Sequence, residues 1–262
     1  MLGNEWLCRT CRTRQSPGTR VAVDRSVACS IPALLLLALV VMVAAWPGSA
    51  QESQVIVEDW SRQSLGQTGV PSGWERYETP RGRPAYDFTV VEDAGWRALL
   101  LKSHDDHSTI AREIRVDLRA TPILEWTWRI VRLPAGADIR RRETSDLTGH
   151  LFVVWPRFPG PLRSRLVGYV WDASAPVDTM QRSRKTGTVT FFVTRSGTAN
   201  LNRWLTERRN VYEDYRSAFG EYPESPSAVA ISIDTNDTHS EAEALIGPIR
   251  FTTDSADPLS TR

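Results

Sequence analysis

Leu124-Glu125-Trp126-Thr127-Trp128-Arg129-Ile130 sets an apolar side chain at every second position, with a polar one between. That is the period of a β-strand, so the stretch reads as a strand with one buried face and one wet face. Further on, Leu151-Phe-Val-Val-Trp155 is apolar throughout, as expected of a strand covered on both sides. Short β-rich runs of the same kind recur at 54–60, 85–92, 96–103, 108–118, 123–131, 150–155, 166–171, 188–194, 228–234 and 249–253, bounded by Gly, Pro, Asn and Asp. No repeat of fixed period and no low-complexity linker interrupts them. Ten strands in about 200 residues predict an all-β fold, a single two-sheet sandwich of jelly-roll type.

One segment departs from the strand pattern. From Leu201 to Gly220 the spacing of Leu205, Val211 (or Tyr212), Tyr215 and Phe219 is helical. Thr206 can serve as N-cap and Gly220 as the C-terminal stop. One α-helix packed on the sandwich is the expectation. The 138–142 and 162–165 stretches read as surface loops, and Arg140-Arg-Arg142 as a solvated one, with a phosphate or polyanion contact the sharper alternative.

Upstream, Ile31-Pro-Ala-Leu-Leu-Leu-Leu-Ala-Leu-Val-Val-Met-Val-Ala-Ala-Trp46 is an uncharged run of 16 residues. Its length falls between a signal h-region and a comfortable membrane span. Gly48 and Ala50 offer small residues for cleavage before Gln51, which favours a cleaved signal; a retained N-terminal anchor is the other reading. In both, residues 51–262 are exported to the periplasm or cell surface, and residues 1–50 form the leader. In the anchored form that leader would hold the domain to the inner membrane. Cys8, Cys11 and Cys29 all precede the run. Cys8-Arg-Thr-Cys11 has the spacing of half a zinc site or a redox pair, but no second pair completes it. The exported part has no thiol and must be stable through its core alone.

Charge narrows the partners. Of 32 basic and 31 acidic residues, five Arg and two acids lie in residues 1–50, which leaves 27 against 29 in the remainder. A near-neutral domain argues against nucleic acid, which favours a basic face.

Motifs for chemistry are few. The chain has no Gly-rich phosphate loop, no Gly-x-Ser-x-Gly elbow and no His-Glu-x-x-His. Ser103-His-Asp-Asp-His107 has metal-binding residue types, yet the same residues favour polar turns. Leu166-Val-Gly-Tyr-Val-Trp-Asp172 puts Tyr169 and Trp171 on one strand face with Asp172 at its exit. Such a group can stack on a sugar ring and bind its hydroxyls; core packing is the plainer role. Asp146 and His150, at the entry to the apolar strand, complete the candidate ligand contacts. Asp234-Thr-Asn-Asp-Thr-His239 has the oxygen-rich spacing of a calcium loop, with Asp234 and Asp237 as its ligands, against an Asx-turn. No other cofactor is implied. A glycosidase would need two carboxylates facing across a cleft, for which Asp146 and Asp172 are the candidates.

The stretch from Val57 to Phe251 resembles the bacterial family of exported proteins known as domain of unknown function 3047. The resemblance rests on Gly73-Trp74-Glu75, Leu124-Glu-Trp-Thr-Trp-Arg129, Tyr169-Val-Trp171 and Arg209-Asn-Val-Tyr-Glu-Asp-Tyr215 with Phe219-Gly220. It continues through Asp234-Thr-Asn-Asp-Thr238 and Gly247-Pro-Ile-Arg-Phe251. Two positions depart from the family pattern. Its acidic pair before the middle strand is Ser145-Asp146 here, and its Asp-x-Asp-Asn-Thr turn reads Asp234-Thr-Asn236-Asp237-Thr238. Both exchanges count against an oxygen-ligand role. The resemblance implies fold and compartment and no reaction. By analogy with jelly-roll carbohydrate-binding modules, an opening strand at 55–60 pairs near a closing one at 249–253.

The sequence therefore points to an exported, non-catalytic sandwich that binds carbohydrate or another cell-envelope component. A polysaccharide-acting enzyme and a structural subunit of an envelope complex are the alternatives.

Overall fold

The computed structural model describes residues 54–77, 84–158 and 163–253. Ile31–Trp46 and the three cysteines lie outside the described residues. Among those described, no helix is long and apolar enough to cross a membrane.

Thirteen strands, one α-helix and a 3-10 turn at Arg142–Thr144 are described. In chain order the strands are β1 (Gln54–Glu58), β2 (Glu75–Arg76), β3 (Phe88–Asp93), β4 (Trp96–His104), β5 (His107–Glu113), β6 (Ile123–Arg132) and β7 (Leu147–Trp155). Then come β8 (Arg165–Asp172), β9 (Met180–Arg182), β10 (Val189–Ser196), β11 (Leu205–Asn210), the helix α1 (Val211–Phe219), β12 (Ala228–Asp234) and β13 (Glu241–Thr252). One sheet has the order β11-β6-β13-β4-β3, with β1 also on β13; the other has the order β2-β5-β12-β7-β8-β10-β9. This is the two-sheet sandwich with one helix that the alternation predicts. As expected, the opening strand meets the closing one, Val55 opposite Phe251.

The core lies between the sheets. Leu124, Trp126, Trp128 and Ile130, the apolar half of the deciding stretch, are all fully buried. Trp126 stacks on Tyr169 of the other sheet at 5.2 Å between ring centroids, and Trp128 meets Trp171 at 5.9 Å. The polar half faces away from the core but is not wet as expected: Glu125 and Thr127 are buried, Glu125 beneath ion pairs of 2.6 Å with both Arg208 of β11 and Arg250 of β13.

Two element boundaries differ from the sequence reading. The helix begins at Val211, with the Asn210 side chain accepting from the Glu213 N–H. Thr206 lies instead in β11, paired with Thr127 of β6. Glu207 explains why: from this strand it accepts the Trp128 indole N–H and binds Arg195, contacts that a helix would forfeit. Gly220 ends α1 in the left-handed conformation, as expected. The closing strand is longer than predicted, because Glu241-Ala-Glu-Ala-Leu245 has helix-favouring composition that sheet pairing overrides. Its first half pairs with β4 and its second half with β1. The change falls at Gly247-Pro248, where Pro248 has no N–H to give a ladder and the Gly247 carbonyl accepts the Trp60 indole.

Candidate functional site

The seven-stranded sheet has a second face, turned away from the core. On β12, Val229, Ile231 and Ile233 point inward, so by alternation Ser232 and Asp234 point outward. Their neighbours follow from register. Ser232 is flanked by Thr109 of β5 and His150 of β7, and Asp234 by His107 of β5 and Leu147 of β7. Between those two rungs β12 advances two residues and β7 three, which is a bulge over Thr148 and Gly149. Gly149 adopts φ +54°, and a Cβ there would lie 2.6 Å from that of Ala244 on the opposite sheet. The bulge lets β7 close on the core and still present His150 outward.

A polar cluster results. The hydroxyl of Thr109 lies 3.1 Å from His107 Nε2 and 2.6 Å from Ser232 Oγ. Lys185, from the turn between β9 and β10, reaches over to pair with Asp237 and lies 3.7 Å from Asp234. His150 packs edge-on against Phe152 at 4.9 Å. Its Nδ1 is buried and has no hydrogen-bond partner among the described residues. Beyond it, the rings of Phe152 and Phe191 lie over Gly168, which continues the face as an apolar surface.

The protonation states follow from burial. Desolvation holds His150 down to about 3, helped by His107 and Lys185. His107 is lowered for the same first reason. Desolvation pushes Asp234 up to about 7, with Asp146 and Asp237 adding and Lys185 opposing. At neutral pH the two imidazoles are uncharged donor–acceptors.

These shifts oppose one another in stability. A carboxyl whose folded pKa lies above 3.8 makes the fold less stable as pH rises through its window, here from about 4 to about 7. An imidazole whose folded pKa lies below 6.5 makes the fold more stable as pH rises from about 3 to 6.5. Relative to wild type, Asp234→Asn should therefore gain stability with rising pH across this range, and His150→Leu should lose it. Urea midpoints measured from acid to neutral pH would show the two slopes diverging; parallel slopes would refute this protonation scheme.

The sequence-derived candidates separate into two groups. Asp146, His150, Asp234 and Asp237 come together in this cluster. Tyr169 and Trp171 do not, because both lie fully buried between the sheets against Trp126 and Trp128. No sugar ring reaches them, and core packing is their role. The Tyr169 hydroxyl instead donates to Asp214 of α1, which Arg209 also binds. Asp172 is buried apart from the cluster, accepting the backbone N–H of Ile139, Ser174 and Ala175.

Asp146 likewise accepts the N–H of Asp237 at 3.1 Å and the N–H and hydroxyl of Thr238 at 2.7 and 2.6 Å. It clamps the turn after β12. Both carboxylates of the glycosidase reading are thus engaged by turn donors. In that clamped turn the Asn236 N–H meets Asp234 Oδ1 at 3.4 Å, an Asx-turn contact.

The cation beside Asp234 and Asp237 is the Lys185 ammonium. Among the described residues no group of three His, Cys, Asp or Glu is placed to hold a metal ion. Ser103–His107 forms a polar turn, in which the Asp106 carboxylate accepts the Ala85 N–H and the Ser108 hydroxyl. Arg140 is bound by Asp138 through two contacts of 2.8 Å.

Sequence reasoning missed Thr109, Ser232 and Lys185. Lys185 carried a signal, being one of two lysines in the chain. Ser232 carried another, as the one polar residue between two isoleucines of a buried strand.

A family model described as protein of unknown function (DUF3047) matches residues 72–250. No curated protein matches the chain. Among solved structures, it is similar to the Family 11 carbohydrate-binding module of cellulosomal cellulase Lic26A-Cel5E of Clostridium thermocellum, at 8% identity and TM-score 0.39, over 76% of this chain and 94% of that one. The xyloglucanase domain of NopAA, a type three effector from Sinorhizobium fredii, matches at 9% identity and TM-score 0.40, over 73% and 97%. The CBM22-1 xylan-binding domain from Paenibacillus barcinonensis Xyn10C matches at 13% identity and TM-score 0.35, over 79% and 100%. These likenesses concern the sandwich architecture alone.

Proposed function

The chain belongs to the DUF3047 family of proteins of unknown function, and we propose that it acts outside the cytoplasm as a binding module for carbohydrate. Ile31–Trp46 supports the compartment. The ligand would lie on the outer face of the seven-stranded sheet, over the partly exposed Asp234, Asp237 and Lys185, with His150 and Ser232 buried directly beneath them.

One observation carries this reading: the buried, unpartnered Nδ1 of His150. Leaving a buried polar atom without a partner costs about 1–3 kcal/mol, so an incoming hydroxyl that pairs with it gains that much back. A neutral imidazole suits a hydroxyl group, because either can donate or accept. The Thr109–Ser232 pair and the Lys185 ammonium add further hydrogen-bonding groups. Phe152 beside them, partly exposed above the buried Phe191, offers an apolar contact, and sugar recognition draws on both kinds of surface.

Isothermal titration against a panel of neutral oligosaccharides tests the proposal. A bound member should lose about tenfold in affinity in His150→Leu and in Lys185→Met, the worth of one or two hydrogen bonds. Absence of binding by every member, or equal binding by both variants, would overturn it.

A further inference from the structure

A cavity lies past the far end of β7. His150 is near the start of that strand, and Arg157 follows its last residue by two positions. There a cavity of about 310 Å³, at the small end of ligand sites, is lined by Arg157, Arg163, Arg165 and Arg182, with Gly187 and Phe219 among the other wall residues. Among the described residues, none that lines it is acidic.

The four guanidiniums have few anions to meet. Glu221 pairs with Arg157 at 2.7 Å and with Arg165 at 3.3 Å. Arg165 also lies over the Phe219 ring, 4.7 Å from its centroid, and Arg157 donates to the Tyr215 hydroxyl at 3.0 Å. These contacts fix two of the four in place. Arg182 has only the Gly187 carbonyl, at 3.1 and 2.7 Å, and Arg163 only that of Phe158, at 3.5 Å, among the described residues. Four positive charges around one carboxylate repel one another, and the arrangement gains when an anion enters. Planar guanidinium forks match the two oxygens of a carboxylate or phosphate.

We propose that this cavity binds the oxyanion of a ligand, a carboxylate or a phosphate group, through Arg157, Arg163, Arg165 and Arg182. The site does not depend on sugar recognition at His150. The β9–β10 turn nevertheless touches both, with Gly187 on the cavity and Lys185 in the polar cluster.

The test is titration of the full chain with inorganic phosphate, with trigalacturonate and with the methyl ester of that trimer. Binding of either anion should weaken as salt rises, and the ester should bind at least about tenfold more weakly than the acid. The double variant Arg163→Gln/Arg182→Gln, which breaks contacts to carbonyls only, should keep the wild-type melting temperature and lose about tenfold or more in anion affinity. Glu58→Ala, far from this cavity, serves as a control for stability loss alone and should leave anion binding of the folded protein unchanged. Tighter binding of phosphate assigns the cavity to phosphoryl groups and tighter binding of the trimer to acidic sugars; both support the proposal. Equal binding of acid and ester, no binding of either anion, or a double variant that binds as wild type would overturn it.

Discussion

Gly149→Ala is expected to lower the unfolding free energy by about 3 kcal/mol, from two effects that add. A left-handed backbone costs an L-residue about 1–2 kcal/mol. The new methyl would also sit 2.6 Å from the Cβ of Ala244, a neighbour held in the middle of β13, and overpacking of that kind costs about 1–3 kcal/mol. The two effects can be separated by a companion variant. Gly136 has φ +73° and nothing within 4 Å of the position a Cβ would take, so Gly136→Ala should cost only about 1 kcal/mol. Urea denaturation of both proteins gives the comparison. Similar losses at the two positions would mean that β7 does not approach β13 as closely as described. Relief of the contact would have to move the bulge, so His150 should leave its place and the carbohydrate binding proposed above should fall with stability.

Glu58→Ala should cost about 3–5 kcal/mol, because it strips several donors of one acceptor. Glu58 is buried and ion-paired with Arg112. It accepts the Trp74 indole N–H at 3.0 Å and the Trp60 backbone N–H at 2.9 Å, with the Gln63 amide at 3.4 Å. Trp60 and Trp74 stack at 5.8 Å with their planes 11° apart, so the carboxylate fixes a pair of large rings at the edge of the core. Chemical denaturation would measure the loss. The double variant Glu58→Ala/Arg112→Ala should recover part of it, since the orphaned guanidinium is removed as well. A single variant within about 1 kcal/mol of wild type would show that Arg112 and the indoles find water instead.

Periodicity made the frame legible. The alternation at Leu124–Ile130 and the unbroken apolar run at Leu151–Trp155 carry strand and facing directly, but not burial: Glu125 and Thr127 on the polar face of β6 are buried, whereas Phe152 and Val154 of β7 are only partly covered. Thr206–Asn210 misled because its charged residues find partners on other strands, Glu207 with Arg195 of β10 in the opposite sheet and Arg208 with Glu125 of β6. Such partners lie far along the chain. For the candidate site, the sequence pointed to Asp146 and His150 as ligand contacts at a strand entry and to Asp234 and Asp237 as calcium-loop ligands, without joining the two pairs. Their meeting depends on the β5-β12-β7 register, which no local pattern contains. Tyr169 and Trp171 show the converse. A strand face bearing aromatics reads the same whether it meets solvent or another sheet, and only the presence of Trp126 and Trp128 opposite decides it.

The seven-stranded sheet ends on β2, two residues long, and on β9, three residues long. A sheet edge is a row of unpaired amides and carbonyls on which another chain can template, and fibrils grow from such rows. Here each flank of a broad sheet offers almost none. Among the described residues these two flanks therefore give an incoming strand little to pair with, and templating on the seven-stranded sheet is disfavoured.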